Sequence, residues 1–281
     1  MSLTLAAGGR RRRNALPGFG LTLGITIFVL SVLIVIPLGG LVARAASLSP
    51  SQILSILSSP RVFSAFRLSF GLAFIAAVID GFVGILVAWV LVRYHFPGKR
   101  ILDSLVDLPF ALPTAVAGIT LTALYADDGW FGAPLAKLGL SVAFTPWGIF
   151  VALLFVGLPY AIRSCQPVLA DLEREAEEAA VTLGAQPAQI FWRVILPQLF
   201  PALLTGIALA FARAAGEYGS VIFIAGNMPG LSEIVPLLIV IRLEQFDYAG
   251  AALLATTMLV MSLGILLLLS LLSIWRSRQY V

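Results

Sequence analysis

The chain has 281 residues, of which 60% are hydrophobic and only 11% are charged, and its mean hydropathy is +1.01. Soluble domains are about one-quarter charged, so this composition predicts an integral membrane protein. The single cysteine excludes an internal disulfide, and the single histidine leaves little scope for an imidazole metal site. The formal net charge of +4 comes from arginines in loops, which is typical of topology signals and not of a nucleic-acid-binding face.

Apolar runs long enough to cross a bilayer recur along the chain. A hydrocarbon core about 30 Å thick needs about 20 residues of helix. Six runs of roughly that length follow one another, at 21–43, 66–92, 105–125, 146–164, 199–225 and 248–274. The run at 233–241 is too short, so we expect it to lie in or near an interface. The sequence therefore predicts an all-α integral membrane protein with six transmembrane helices.

Lysines and arginines are distributed unevenly between the two sides of these spans. Twelve lie on the side of the N-terminus and four in the opposite loops, namely Arg44, Arg61, Lys137 and Arg242. Because positive loop residues favour the cytoplasm, we expect both termini there. We interpret residues 1–20 as a cytoplasmic segment, 21–275 as one six-span domain and 276–281 as a cytoplasmic tail. The Arg-rich, acid-free start is also typical of a transit peptide, but it runs straight into the first span.

Patterns that would indicate catalysis are missing from the sequence. The only Gly-Lys pair, Gly98–Lys99, is followed by Arg100 where a phosphate-binding loop needs Ser or Thr. Intramembrane proteolysis needs a Ser–His pair or two aspartates at membrane depth, whereas His95 lies in a loop and Asp80 is the only aspartate near a span centre. We therefore predict no catalytic residue and no metal site in this chain.

The most acidic stretch lies between the fourth and fifth predicted spans. From 171 to 183, five small apolar residues recur at helical spacing, namely Leu172, Ala176, Ala179, Ala180 and Leu183. Four glutamates lie beside them. Gly184 is suited to end this helix in the left-handed conformation, and Pro187 to begin the next one. Alanines allow another surface to approach closely, so we interpret the loop 165–198 as a docking element for a partner. The alternative is a solvated surface helix.

Several motifs resemble those of ABC importer permeases. The chain matches the EAA signature of that family in residue type and spacing at Glu178, Ala179, Ala180, Gly184, Leu196 and Pro197. Val194 stands where the family usually has Ile. The segments 89–121, 211–229 and 242–251 resemble the sulfate/thiosulfate permeases, and the similarity covers residues 20–275. This resemblance implies a type I ABC importer fold, with the acidic loop as a coupling helix received by a cytoplasmic ABC ATPase dimer.

The same resemblance implies the other partners and the cellular location. These are a second, homologous permease subunit and an extracytoplasmic sulfate-binding protein, in the inner membrane of a bacterium. ATP and Mg would be bound by the ATPase, and no cofactor by this chain. No nucleic-acid partner is expected.

A path for a hydrated dianion must replace its water with hydrogen-bond donors without trapping it. Hydroxyls, a few cations and backbone N–H groups at broken helix ends suit this purpose. The candidate residues for the path are Arg213, Glu217, Tyr218, Thr114 and Thr120. The alternative for Arg213 and Glu217, four residues apart near the middle of the fifth span, is a buried ion pair that fixes a subunit interface. The alternative for the third span is a kinked packing helix.

The resemblance, taken with these residues, implies a permease subunit that moves sulfate and thiosulfate into the cytoplasm by alternating access. A molybdate or tungstate permease is the alternative within the family, although those permeases tend to have Phe at the Tyr218 position and to lack the QFDY segment at 245–248. An ATP-independent secondary anion transporter with an accidental EAA string is the alternative outside it.

Overall fold

The computed structural model describes residues 19–277, with side chains described as far as Ser273. Residues 1–18 and 278–281 lie outside this range, and with them Arg10 to Arg13 and Arg278, which contributed to the predicted orientation. Most of the predicted terminal segments at 1–20 and 276–281 therefore also lies outside the described residues.

The described part of the chain consists of α-helices joined by turns, with no strand between residues 19 and 277. The helices are α1 Phe19–Leu30, α2 Ile36–Ala45, α3 Pro50–Leu57, α4 Pro60–Arg93, α5 Lys99–Val106, α6 Leu108–Ala111, α7 Thr114–Tyr125, α8 Gly132–Ala136, α9 Pro146–Asp171, α10 Arg174–Thr182, α11 Pro187–Ile190, α12 Leu196–Ala215, α13 Val221–Ile224, α14 Val235–Glu244 and α15 Tyr248–Ser277. Two π-helical turns, Ser31–Val35 and Phe191–Ile195, join α1 to α2 and α11 to α12. The all-α prediction is confirmed.

Five continuous helices are long and apolar enough to cross a membrane: Phe19–Ala45, Pro60–Arg93, Pro146–Asp171, Pro187–Ala215 and Tyr248–Ser273. They correspond to the first, second, fourth, fifth and sixth predicted spans. The predicted number of six is not confirmed, because the third predicted span is divided among α5, α6 and the 12-residue α7. Most of the short apolar run at 233–241 lies in α14, which has 10 residues and begins at Val235.

The break in the third predicted span lies at Leu112–Pro113. A proline forces the preceding residue out of the helical region and into an extended conformation. Leu112 accordingly has φ −83° and ψ 134°, and α7 begins directly after Pro113. Pro113 thus interrupts the third predicted span, for which the sequence analysis had considered only a continuous or a kinked helix.

The fifth predicted span, 199–225, begins earlier and ends earlier than expected. Its helix is continuous from Pro187 through the π-helical turn and stops at Ala215. Beyond it, the carboxylate of Glu217 accepts a hydrogen bond from the backbone N–H of Ser220, just before α13. The prediction that Arg213 and Glu217 share one helix is therefore wrong, because Glu217 lies in the turn after α12.

The core of the bundle is formed by α4, α9 and α12, which pack closely through small residues. A Cβ added at Gly84 of α4 would lie 2.7 Å from the methyl of Ala161 in α9, and one at Gly206 of α12 would lie 3.0 Å from the Cα of that same alanine. Small residues allow such close helix contacts within a membrane. Cys165 of α9 is fully buried. By contrast, α1 has no buried residue in this single chain.

Candidate functional site

The acidic loop between α9 and α12 forms two short helices around a sharp turn. The first, α10, begins at Arg174 and not at Asp171, because Leu172 and Glu173 are extended. Leu172 therefore does not belong to α10 as predicted, and it packs against the core. Beyond the turn, Pro187 begins α11 as predicted, and Leu196 and Pro197 begin α12.

The end of α10 shows why this turn requires glycine. Gly184 has φ +79°, which confirms the predicted left-handed conformation. Its N–H donates to the carbonyl of Val181 at 2.9 Å, and the N–H of Ala185 donates to the carbonyl of Ala180 at 3.0 Å. These two bonds form a Schellman motif, which satisfies carbonyl groups at the end of a helix. The turn is thus held by backbone bonds.

The outer face of α10 and its turn is exposed and partly apolar. Leu183 is 88% exposed and Val181 60%, while Glu178 and Ala179 are also exposed. The side chain of Glu178 forms no hydrogen bond or ion pair with any other described residue. Ala180, which the sequence placed on the same face, instead packs against the core. The outer face of α10 thus combines two exposed apolar side chains with a carboxylate that has no partner among the described residues.

An ion pair that the sequence analysis missed connects α10 to the membrane-spanning part. Arg93, the last residue of α4, pairs with Glu177, and both side chains are mostly buried. The guanidinium of Arg93 also lies over the ring of Trp89, with its Cζ 5.3 Å from the ring centroid. The sequence offered four similar glutamates, and nothing in their spacing distinguished Glu177 from its neighbours.

Arg213 and Glu217 form an ion pair at the end of α12. The side chain of Glu217 is only 2% exposed and that of Arg213 31%. Oε2 of Glu217 faces Arg213, and Oε1 accepts hydrogen bonds from the backbone N–H of Ser220 at 2.8 Å and from its hydroxyl at 2.9 Å. Both carboxylate oxygens are engaged, so the pair fixes the turn between α12 and α13, while part of the guanidinium remains accessible.

The turn after α12 packs against the broken third span. A Cβ on Gly219 would lie 3.0 Å from the Cβ of Thr114, the first residue of α7. Tyr218, next to Gly219, is half-buried. Thr120 is exposed and lines a separate groove with Asp128 and Trp130. The structure therefore brings Thr114 to the turn that carries Glu217 and Tyr218, but not Thr120.

A second polar cluster was also missed by sequence reasoning. Arg163 of α9 donates hydrogen bonds to Asp107 at 2.6 Å and 2.8 Å and to Asp103 at 2.7 Å, and also to Gln166 at 2.6 Å. The hydrogen bond from Arg163 holds the pKa of Asp103 below its usual range. The cluster joins α5 and the start of α6 to α9. No group of three or more potential metal ligands occurs among the residues described.

Comparison with known proteins assigns the chain to a family. Residues 80–278 match the family described as binding-protein-dependent transport system inner membrane component. The probable sulfate transport system permease protein of Nephroselmis olivacea is 51% identical over 86% of this chain and 86% of its own length. The sulfate transport system permease protein of Escherichia coli K12 is 46% identical over 90% of this chain and 92% of its own length.

Solved structures agree at the level of the fold. A bacterial ABC transporter involved in the import of the acidic polysaccharide alginate has a chain with a TM-score of 0.72 at 15% identity, covering 92% of this chain and 94% of that one. A chain of the inward-facing MetNI methionine ABC transporter gives 0.55 at 18% identity, covering 83% of this chain and 100% of that one. The chain belongs to the family of binding-protein-dependent transport system inner membrane components, in which its relatives are sulfate transport system permeases.

Proposed function

We propose that this chain is a permease subunit of an ATP-driven ABC importer that moves sulfate and thiosulfate into the cytoplasm by alternating access. The observation that carries the proposal is the exposed turn of α10 and α11, because it presents Glu178, Ala179 and Gly184 on a surface that no other residue between 19 and 277 covers. Sulfate as the substrate is supported by relatives named as sulfate permeases at 45–51% identity.

The ATPase is the partner that this turn would receive. In the proposed complex, Ala179 allows close approach of the ATPase, and the exposed Leu183 and Val181 supply apolar contact. ATP and Mg are bound by the ATPase dimer, and this chain contributes no catalytic residue. A structure of the alginate transporter in complex with a pentasaccharide-bound periplasmic protein matches this fold with a TM-score of 0.72, which supports the general set of partners.

Half of the anion path would be supplied by this chain. The interrupted helices at Leu112–Pro113 and after Ala215 place helix ends and hydroxyl groups beside the Arg213–Glu217 pair. Helix N-termini and hydroxyls can replace the water of an anion without a full buried charge. The second, homologous permease subunit would supply the other half, and an extracytoplasmic sulfate-binding protein would deliver the anion.

The orientation follows from the same proposal. We place both termini in the cytoplasm of a bacterium, with the turn of α10 and α11 facing its ATPase. Cys165 is fully buried, so a thiol reagent in solution does not reach it, and introduced cysteines can be labelled without interference from it. A membrane-impermeant thiol reagent should label a cysteine replacing Gln186 only after permeabilisation and one replacing Lys137 in intact cells. The reverse pattern would overturn the orientation.

The transport proposal is tested by uptake in cells. The chain is expressed with its ATPase, second permease and binding protein in a host that lacks sulfate permeases, and labelled sulfate is measured. We expect uptake that disappears when the ATPase carries an inactive phosphate-binding loop. Excess unlabelled thiosulfate should compete and molybdate should not. Uptake that persists with the inactive ATPase points to a secondary transporter, and preferential competition by molybdate points to a molybdate permease.

A further inference from the structure

The C-terminal end of α4 contacts both arms of the acidic loop. Arg93 ends this 34-residue helix and pairs with Glu177 of α10, 84 positions further along the chain. Four residues earlier in α4, Trp89 lies under the guanidinium and meets the ring of Phe191 edge-on, with the centroids 5.9 Å apart. Phe191 begins the π-helical turn that leads into α12.

The ion pair is placed where it can control the position of α10. That helix packs mainly on α11 and the π-helical turn, and its outer face is exposed. Arg93 links it to a membrane-spanning helix of the core. The two side chains are 13% and 23% exposed, so solvent screens this pair less than an ordinary surface ion pair.

Arg93 also lies close to the exposed docking face. With Glu177 it lines an open recess that continues to Glu178 and Val181. The stacked indole and the carboxylate constrain the guanidinium from two sides, because cations are attracted to the faces of aromatic rings. Arg93 thus joins α10 to α4, and Trp89 joins α4 to Phe191, which leads into α12.

We propose that Arg93 is a positioning residue, which ties the docking helix α10 to α4 so that movement of an ATPase bound at α10 is transmitted to the membrane helices. This inference rests on the proposed function. It differs from a docking role because Arg93 does not belong to the exposed face. Loss of the pair should leave the ATPase bound and hydrolysing, while less sulfate is imported for each ATP hydrolysed.

The test uses the complete complex in proteoliposomes, with sulfate uptake and ATP hydrolysis measured together. The variants are Arg93→Gln, Glu177→Gln and the double variant. The matched control is Glu175→Gln, which removes an exposed carboxylate without a described partner from the first turn of the same helix. Arg93→Lys keeps a cation over Trp89 and serves as the conservative variant. Subunit retention is measured for each complex.

We expect Arg93→Gln and Glu177→Gln each to lower sulfate imported per ATP by about tenfold, with the ATPase subunits retained. The double variant should be no worse than either single one, because the two residues act as a unit. Arg93→Lys should recover part of the loss, and Glu175→Gln should match the wild type. If Arg93→Gln fails to assemble, Glu177→Gln alone decides, since it breaks the same pair outside the membrane.

Two results would overturn the inference. One is normal sulfate import per ATP in Glu177→Gln or in an assembled Arg93→Gln complex, and the other is a double variant whose loss is the product of the single losses. Failure of the proposed function looks different, because the wild-type complex itself would then show no uptake of sulfate coupled to hydrolysis.

Discussion

Replacing Gly184 with valine tests the docking turn with the least disturbance of the rest of the chain. A Cβ built on Gly184 meets no heavy atom within 4 Å, so the position has open space for the start of a side chain. Its main cost in the isolated chain is backbone strain, because the residue has φ +79°. A non-glycine residue in this region costs about 1–2 kcal/mol. Membrane insertion should be unaffected.

A matched control separates this strain from an effect on the ATPase. Gly98 has φ +83° and equally open surroundings, and it lies in the loop before α5. The Gly98→Val substitution therefore carries the same backbone strain without touching the docking turn. If Gly184 fits a cleft of the ATPase, Gly184→Val should lose at least about 2 kcal/mol of association beyond this control, as residues at the centre of interfaces do. That loss corresponds to about 30-fold weaker association.

The assay is titration of the purified permease pair with its ATPase, followed by measurement of hydrolysis stimulated by loaded binding protein. We expect the Gly98→Val complex to behave as the wild type and the Gly184→Val complex to lose association, stimulation, or both. Equal association and equal stimulation in the two variants would refute the argument, since the turn would then be a solvated connector.

Three further predictions follow from the packing and the ion pairs. Gly84→Ala should destabilise the chain by about 1–3 kcal/mol in thermal unfolding, because its Cβ would lie 2.7 Å from a methyl group of α9. The control is Gly71→Ala at an exposed position of the same helix, which should be neutral or stabilising. Equal effects of the two substitutions would contradict the close packing. Glu217→Ala should lower the free energy of unfolding more than Arg213→Gln does, because the carboxylate is 2% exposed and also accepts two hydrogen bonds from Ser220. Sulfate uptake by an assembled Arg213→Gln complex then reports whether the anion uses the guanidinium. The lowered pKa of Asp103 predicts that its stabilising contribution is full above the ordinary aspartate pKa of about 3.9 and is lost as the pH falls through the lower folded value. Asp103→Asn should therefore lower the unfolding temperature at pH 7 and make that temperature less dependent on acid. An unchanged unfolding temperature would contradict the role of the cluster.

Local sequence signals predicted the features that depend on local chemistry. Composition and the apolar runs indicated the membrane helices, and Gly184 and Pro187 marked the turn, because their backbone preferences act within a few residues. The break in the third span was harder to place. A kinked helix was one interpretation of this span, but whether Pro113 bends or interrupts a helix depends on neighbours that replace the lost hydrogen bonds.

Contacts between distant residues were not predictable from one sequence. The pairing of Arg93 with Glu177 joins positions 84 apart, and four glutamates of similar spacing competed for it. Arg163 was counted only as a loop charge, although it joins Asp103 and Asp107 to α9. The end of α12 was misplaced for a related reason. Glu217 looked like a helical neighbour of Arg213, but its carboxylate caps the following turn, and such competition between side chain and helix is decided by tertiary packing.

The most direct test of the central claim is reconstitution from purified parts. The chain, its permease partner, the ATPase dimer and the sulfate-loaded binding protein are assembled in proteoliposomes with ATP on the ATPase side, and sulfate accumulation on that side is followed over time. We expect sulfate to accumulate above the external concentration, in proportion to the ATP hydrolysed and only when the binding protein is present. Sulfate movement that ignores ATP and follows an ion gradient, or hydrolysis that responds to loaded binding protein without any sulfate transport, would contradict it.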